Sequence, residues 1–167
     1  ISTLLNERKI ESRSILGWQI PINTDSNYSK ARILEINSDL IKTLLKKYKV
    51  LVVAGFQGIS KDDRITTLGR GGSDTSAVAI AYSLGLKSCQ IYTDVDGIFT
   101  SDPRIVKNAT KINSITYEEI LELASLGSKV LHPRSVELAM KYGIKVKVKN
   151  TFSKSLGAFL TNEDKTM

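Results

Sequence analysis

The sequence has 167 residues, of which 41% are hydrophobic and 25% are charged, a composition typical of ordinary globular proteins. One cysteine, Cys89, excludes an internal disulfide framework, and a single histidine, His132, excludes a Cys/His zinc site. No apolar stretch approaches the roughly 18 residues that a membrane span needs. We therefore expect a cytoplasmic domain with no membrane partner.

The 24 Lys and Arg residues outnumber the 17 Asp and Glu residues, which gives a formal net charge of +7. This charge favours either an anionic ligand or a lysine-rich surface. Aromatic residues make up only 7% of the sequence and are not interleaved with a basic stripe, so we expect no nucleic-acid partner. Lysines alternate with valines over 145–149, which predicts a strand with one solvent-facing side.

The hydrophobic pattern predicts alternating helices and strands. The first half predicts a helix ending near residue 9, strands over 12–18 and 31–36, a helix from 38 or 39 to 48, a strand buried on both faces over 50–54, and polar loops over 23–29 and 57–67. The second half predicts a helix from 73 or 74 to 82, a strand over 88–93, helices over 117–124 and 133–142, and strands over 145–148 and 158–161. This alternation predicts an α/β fold whose mainly parallel sheet is covered by helices.

Three polar clusters lie where ligands bind in open α/β sheets, at the carboxyl ends of strands: residues 55–58, 69–74 and 92–96. In the second cluster, glycines flank Arg70, whose planar guanidinium suits a carboxylate or a phosphate. The same residues also fit a tight turn capped by Ser73 or Asp74. The pattern leaves both interpretations open.

Neither the P-loop nor the G-x-G-x-x-G motif occurs in these 167 residues, so we expect neither a P-loop NTPase nor a standard dinucleotide-binding half unless a part outside them supplies the motif. With one histidine, a Ser–His–Asp triad is not expected, and His132 before Pro133 predicts a capping or packing residue. Asp94 and Asp96 fit a Mg²⁺ or nucleotide contact, and fit equally well a turn stabilised by their side chains. Taken alone, Arg104 and Lys129 are predicted to be solvated surface charges.

Four segments together closely resemble the aspartokinases of the amino acid kinase family: VAGFQGI at 53–59, TTLGRGGSDTS at 66–76, IYTDVDG at 91–97 with TSDPR at 100–104, and LASLGSKVLHP at 123–133. They occur in the order and at the separations found in that family. The resemblance implies a three-layer α/β/α sandwich with a mainly parallel sheet. It also implies transfer of the γ-phosphoryl group of ATP to the β-carboxylate of L-aspartate, the first step towards lysine, threonine and methionine.

The resemblance also assigns roles to residues. It implies that Arg70 binds a carboxylate of aspartate and that Asp74 and Lys129 are catalytic. The implied aspartate-binding residues are Phe56, Arg70, Gly71, Gly72, Ser73 and Asp74. The implied ATP-binding residues are Tyr92, Thr93, Asp94, Phe99, Arg104, Lys129 and Val130. The family usually has tyrosine at position 99, so Phe99 lacks that hydroxyl; Mg²⁺ is expected to arrive as MgATP, with no resident metal site.

The Lys-x-Gly-Gly phosphate loop of the family is not found in the sequence, which begins with Ile1. We therefore expect residues 1–161 to be an N-terminally truncated catalytic domain and 162–167 to begin a linker to regulatory ACT domains. The full-length protein is expected to form a homo-oligomer, and the 167-residue piece alone is expected to be inactive. Kinases of the same family that act on glutamate, N-acetylglutamate or UMP are alternatives, as is a non-catalytic binding fragment.

Overall fold

The structure, a computed structural model, describes residues 1–102, 105–125 and 130–162. The chain divides into two compact units, Ile1–Leu84 and Gly85–Met167, each of which has its own helices and sheets. In the described ranges, no helix has the length and apolar character needed to cross a lipid bilayer. The assignment of 1–161 to one catalytic domain stays a prediction.

The first unit contains three helices and six strands within its described residues. In chain order these are α1 (Ser2–Glu7), β1 (Ser12–Leu16), β2 (Ile22–Thr24), β3 (Ile33–Ile36), α2 (Ser38–Lys47), β4 (Val50–Ala54), β5 (Gln57–Ile59), β6 (Ile65–Thr67) and α3 (Gly72–Ser83). Strands β1 and β4 pair in parallel, and a second sheet has the order β3-β2-β5-β6. In that second sheet, the buried hydroxyls of Thr24 and Thr66 are hydrogen-bonded at 2.7 Å.

The predicted polar loop over 57–67 is wrong, because this segment forms the antiparallel hairpin of β5 and β6. The strands are only three residues long and carry few apolar side chains, so their periodicity is too short to detect. Gly58 permits the pairing of β5 with β2, because a Cβ at this position would lie 2.4 Å from Cγ2 of Thr24. The predicted loop over 23–29 likewise begins within β2.

Strand β4 has the predicted bounds but not the predicted burial. All five of its residues are half-buried. Among the described strands it pairs only with β1, so its second hydrogen-bonding edge is not covered by a neighbouring strand. The continuous apolar run correctly indicated a strand and overstated how much of it this chain buries.

Helix starts differ from prediction by one residue or by the type of cap. The sequence offers Ser38 or Asp39 as the cap of α2, but the side chain of Asn37 caps it by accepting a hydrogen bond from the Leu40 N–H at 3.1 Å. Helix α3 begins after Gly71, which has no side chain to act as a cap.

The second unit contains two helices and six strands in its described part. These are β7 (Ser88–Thr93), β8 (Ile98–Phe99), β9 (Lys111–Ile112), β10 (Ser114–Thr116), α4 (Tyr117–Ser125), α5 (Pro133–Tyr142), β11 (Lys145–Asn150) and β12 (Ala158–Thr161). The main sheet has the order β10-β12-β11-β7, and β11 is parallel to β7 and antiparallel to β12. As predicted, β11 buries Val146 and Val148 and exposes Lys145.

Helix α5 has the predicted bounds. His132 is its N-cap, and the ring Nδ1 accepts a hydrogen bond from the Arg134 N–H at 3.3 Å, which confirms the predicted capping role. Gly143 ends the helix in the left-handed conformation with φ of +62°. The helix therefore has a capped start and a glycine stop.

Tyr117 anchors α4 inside the second unit. Its side chain is buried, and its hydroxyl donates a hydrogen bond to the carbonyl oxygen of Ile144 at 2.7 Å. Burial, and then the negative charges that Cys89 and Glu118 can carry, raise the pKa of Tyr117 above its usual 10.0. The neutral phenol is thus the form that the folded unit favours.

Across the described strands, four pairings are parallel and four are antiparallel. The α/β class is therefore as predicted. The parallel pairings include β1 with β4 and β7 with β11. The polar cluster 55–58 follows β4 and the cluster 92–96 begins at the end of β7, whereas the cluster 69–74 follows β6 of the antiparallel hairpin. The antiparallel pairings come mostly from short hairpin strands.

Candidate functional site

In the first unit, the end of β4 is joined to the start of α3 through Phe56. This residue has a left-handed backbone with φ of +71°, which is unusual for a side chain other than glycine. Its N–H donates a hydrogen bond to Oγ of Ser76 at 3.0 Å, and its carbonyl accepts one from the Leu68 N–H at 3.0 Å. The Ser76 hydroxyl in turn donates to the carbonyl of Gly72 at 2.8 Å, so one buried hydroxyl connects the strand end to the helix.

Three glycines allow the loop before α3 to form. Gly69 and Gly71 have φ of +75° and +72°, values that non-glycine residues rarely adopt. A Cβ on Gly72 would lie 2.8 Å from Cδ2 of Phe56 and 2.9 Å from Cβ of Leu68. Close approach of the helix start to Phe56 therefore requires glycine at position 72.

Arg70 projects into solvent from between the two left-handed glycines. Its guanidinium makes no hydrogen bond or ion pair with any residue in the described ranges, so its charge is not neutralised there. Ser73 is also exposed, and it does not cap the helix by a side-chain hydrogen bond. The half-buried Asp74 lies in the first turn of the helix.

This arrangement keeps the tight turn of one sequence interpretation but not its side-chain cap, and the ligand that the other interpretation expects stays a prediction. The predicted Ser or Asp cap is wrong, because left-handed glycine backbone replaces side-chain capping at this helix start. What the loop offers instead is a full positive charge on Arg70 beside the partial positive charge of the helix N-terminus. Both charges favour a bound anion such as a carboxylate.

In the second unit, Tyr92, Thr93 and Asp94 lie together at the carboxyl end of β7. The Thr93 hydroxyl donates a hydrogen bond to Oδ1 of Asp94 at 3.1 Å. Tyr92 is 57% exposed, and Nζ of Lys149 on the adjacent β11 lies 5.4 Å from its ring centroid. An exposed aromatic face, an exposed carboxylate and a half-buried lysine thus lie at one end of this parallel strand pair.

Asp96 has a different environment from Asp94. Its Oδ1 accepts hydrogen bonds from Nδ2 of Asn150 at 2.9 Å and from Oγ of Ser153 at 3.0 Å. These partners lie 54 and 57 positions later in the chain, so they are not the local Asx hydrogen bonds that one of the two sequence interpretations expected.

The other predicted nucleotide contacts are divided between the described and undescribed residues. Phe99 is half-buried in β8, opposite Lys111 in the β8–β9 pair, and Val130 is half-buried next to the buried Leu131. Arg104 and Lys129 lie outside the described residues, so their predicted roles stay predictions.

The carboxylates of the described residues suit a magnesium ion that arrives with a nucleotide. Across the described ranges, no three His, Cys, Asp or Glu side chains are grouped as metal ligands. Asp94 provides an exposed carboxylate, whereas Asp96 Oδ1 already accepts two hydrogen bonds. Mg²⁺ bound mainly by phosphate oxygens and water needs only one or two protein carboxylates, and this donor set satisfies that requirement.

Sequence reasoning did not find two parts of the site. Ser76 was included in the resembling segment without a role, although its hydroxyl bridges Phe56 and Gly72. Residues 150–155 were not considered, although Asn150 and Thr151 donate hydrogen bonds to the backbone at the end of β7. The polar run that follows the alternating lysines and valines was the available signal for this loop.

Comparison with known proteins identifies the family. The family model described as "Amino acid kinase family" matches residues 1–150. The chain belongs to the amino acid kinase family. The aspartokinase of Rickettsia felis is 52% identical over 168 residues, which cover 100% of this chain and 42% of that protein. This amino acid kinase chain spans about two fifths of the length of the curated relatives it matches.

Solved structures agree with the sequence comparison. Escherichia coli aspartokinase III, in a complex with aspartate and ADP, matches 98% of this chain and 37% of its own with a TM-score of 0.87 and 31% identity. The aspartate kinase from Synechocystis matches 99% of this chain and 27% of its own with a TM-score of 0.81 and 44% identity. The resemblance to aspartokinases and the amino acid kinase fold, both expected from the sequence, are thereby confirmed.

Proposed function

We propose that the full-length protein is an aspartate kinase, which transfers the γ-phosphoryl group of ATP to the β-carboxylate of L-aspartate and releases 4-phospho-L-aspartate and ADP. Similarity to aspartokinases along the whole of this chain is the observation that carries the proposal. The exposed guanidinium of Arg70 at the glycine loop, which has no ion-pair partner among the described residues, supports it independently.

The first unit provides the contacts to the amino acid. The Arg70 guanidinium binds one carboxylate of aspartate through paired, charge-assisted hydrogen bonds. The start of α3 adds the backbone N–H groups of Gly71 and Ser73 and partial positive charge for the same anion. Gly72, whose own N–H donates to the carbonyl oxygen of Gly69 at 3.0 Å, contributes by its lack of a side chain. Asp74 offers the negative charge that an ammonium group requires, and Phe56 lines the pocket with its backbone.

The second unit provides the contacts to ATP. Tyr92, Thr93 and Asp94 at the end of β7 lie against the nucleotide, together with Phe99 and Val130. Arg104 and Lys129 bind the phosphates and oppose their negative charge.

The main barrier to this reaction is the repulsion between two anionic reactants, not the transfer of a proton. The attacking carboxylate is ionised near neutral pH because its free pKa is about 3.9, so no general base is needed. The barrier comes from bringing an anionic acceptor to an anionic triphosphate, and positioning and neutralisation lower it. Mg²⁺ supplies part of the neutralising charge when it is bound with ATP. Among this chain's residues, Lys129 neutralises charge on the phosphates and Asp74 holds the acceptor in line.

The remaining expectations belong to the same proposal. The protein acts in the cytoplasm as a homo-oligomer and catalyses the first step towards lysine, threonine and methionine. The 167-residue chain alone is inactive, because the phosphate loop expected from the family is not in its sequence.

A panel of acceptors tests the proposal. The full-length gene product is supplied with MgATP and L-aspartate, L-glutamate, N-acetylglutamate or UMP, and acyl phosphates are trapped with hydroxylamine while ADP release is measured. We expect ADP release and hydroxamate formation with aspartate, and turnover of the other three at least about a hundredfold lower, since the carboxylate clamp fixes the acceptor geometry. Preferred turnover of another acceptor would reject aspartate, and ATP binding without turnover of any acceptor would favour a binding protein.

A further inference from the structure

Residues 150–155 comprise the last residue of β11 and the five residues after it, and they form hydrogen bonds with the carboxyl end of β7. We call this segment the β11 loop. Thr151 donates two hydrogen bonds to the carbonyl oxygen of Thr93, from its N–H at 2.8 Å and from its hydroxyl at 3.0 Å. The side-chain amide of Asn150 donates to the carbonyl oxygen of Asp94 at 3.4 Å. The β11 loop therefore holds the backbone of Thr93 and Asp94, two of the residues to which the proposed function assigns nucleotide contacts.

Asp96 in turn holds the β11 loop. Its Oδ1 accepts hydrogen bonds from Asn150 and Ser153, which lie 54 and 57 positions later in the chain. At its other end, the Asn150 amide oxygen accepts a hydrogen bond from the Phe152 N–H at 2.7 Å. Both polar atoms of the Asn150 side-chain amide are thus hydrogen-bonded, and Asp96 is an acceptor for its nitrogen.

We propose that Asp96 is a positioning residue for nucleotide binding, which holds the β11 loop and, through that loop, the Thr93–Asp94 strand end in the arrangement that binds ATP. This inference rests on the proposed function for the location of the nucleotide. Asp96 acts as a hydrogen-bond acceptor and makes no contact with nucleotide or Mg²⁺. This role therefore requires an accepting oxygen on the side chain at position 96 and does not require a negative charge there.

The test measures the Kd of a fluorescent, nonhydrolysable ATP analogue with Mg²⁺ on the full-length gene product. Asp96→Ala is expected to raise this Kd about tenfold, the effect of losing one to two hydrogen bonds. Asp96→Asn keeps an accepting oxygen, so its Kd is expected to stay within about threefold of wild type. Glu137→Gln removes an exposed carboxylate elsewhere in the same unit and is expected to leave the Kd unchanged.

A second variant tests whether Asp96 acts through the loop. Asn150→Ala is expected to raise the Kd by the same factor as Asp96→Ala, and the double variant is expected to be no worse than either, because both changes break one chain of hydrogen bonds. The KM for aspartate is expected to stay within about twofold in all of these variants. Asn150→Ala also keeps the proposal testable if Asp96→Ala does not fold.

Four results would overturn the inference. Asp96→Asn as harmful as Asp96→Ala would indicate a direct contact of the charge with the nucleotide or metal. An unchanged Kd in Asp96→Ala, additive effects in the double variant, or an equal rise in the aspartate KM would exclude specific positioning of the nucleotide site. Analogue binding needs no acceptor, so a protein that binds the analogue but does not phosphorylate aspartate contradicts the proposed function alone. Absence of analogue binding by the wild type contradicts both the proposed function and the positioning role of Asp96.

Discussion

Arg70 occupies a position where its backbone and its side chain serve different purposes. The left-handed glycines on either side form the turn, and the turn itself has no need of a guanidinium. The arginine side chain is exposed and makes no ion pair or hydrogen bond within the described ranges, so folding of the unit does not depend on it. We therefore propose that this guanidinium, exposed at a helix start, binds an anionic ligand.

Removing the guanidinium tests this interpretation. Arg70→Ala in the full-length protein is expected to raise the KM for aspartate by roughly 10- to 100-fold, the value of a charge-assisted hydrogen-bonded pair, and to leave the KM for ATP within about twofold. Arg70→Lys is expected to recover only part of the loss, because an ammonium group cannot bind a carboxylate with two parallel N–H donors.

Arg32→Ala is a suitable control for this series. Arg32 is also an exposed arginine of the first unit, and the hydrogen bond that it donates to Asp25 comes from its backbone N–H, not its side chain. Its kinetics should match those of the wild type. Aspartate kinetics of Arg70→Ala that also match the wild type would remove Arg70 from the acceptor site.

At the scale of elements, the joint between β4 and α3 depends on one hydroxyl. Ser76 accepts a hydrogen bond from the N–H of Phe56 and donates one to Gly72, and its side chain is buried. Ser76→Ala removes the acceptor of a partly buried N–H at a residue that already has an unfavourable backbone conformation. The loss should loosen the strand end and the glycine loop together.

We expect Ser76→Ala to lower the free energy of unfolding by about 1–3 kcal/mol, measured by urea denaturation of the full-length protein. Ser83→Ala is the matched control, since Ser83 donates only to the carbonyl of Ile80 within the same helix. Ser83→Ala is expected to lower the free energy of unfolding by much less than Ser76→Ala does. Equal costs for the two variants would show that the bridge to Phe56 contributes no stability.

Tyr117 gives the second unit a predictable dependence on pH. Because its pKa is raised in the folded protein, its contribution to stability is complete below pH 10 and decreases as the pH rises through the folded pKa. Tyr117→Phe loses the hydrogen bond to Ile144 and is expected to be about 1 kcal/mol less stable at pH 8. The difference in the free energy of unfolding between the wild type and Tyr117→Phe should narrow above pH 10, because only the wild type has a phenol at position 117 that can ionise.

Urea denaturation of both proteins between pH 8 and pH 11 measures this difference. A constant gap across the whole range would mean that Tyr117 titrates equally in the folded and unfolded protein. In that case burial would not govern its ionisation.

At the scale of the whole molecule, local signals predicted the elements that are long and clearly bounded. Strand β7 and helix α5 have the predicted bounds, because alternation marks the strand and a His-Pro start and a glycine stop mark the helix. The hairpin over 57–67 was missed, because its short polar strands are defined by pairing with β2 and with each other. The start of α3 was misplaced because left-handed glycine backbone leaves no side-chain signal.

The candidate site likewise has parts that local sequence pattern predicts and parts that it does not. The place of Arg70 in a glycine turn before a helix could be predicted because a charge among glycines is visible over six residues of sequence, while its binding role stays a prediction. The bridge from Ser76 to Phe56 spans 20 positions, and that from Asn150 to Asp96 spans 54, so neither can be inferred from local pattern. The roles of Arg104 and Lys129 stay predictions, since both residues lie outside the described ranges.

The central claim is that the Arg70 guanidinium binds the acceptor amino acid. A crystal structure of the full-length protein with L-aspartate and a nonhydrolysable MgATP analogue tests it most directly. The account predicts an aspartate carboxylate within about 3 Å of the guanidinium nitrogens, as in other paired arginine–carboxylate contacts. Clear density for aspartate at another place, with Arg70 still exposed to solvent, would contradict it.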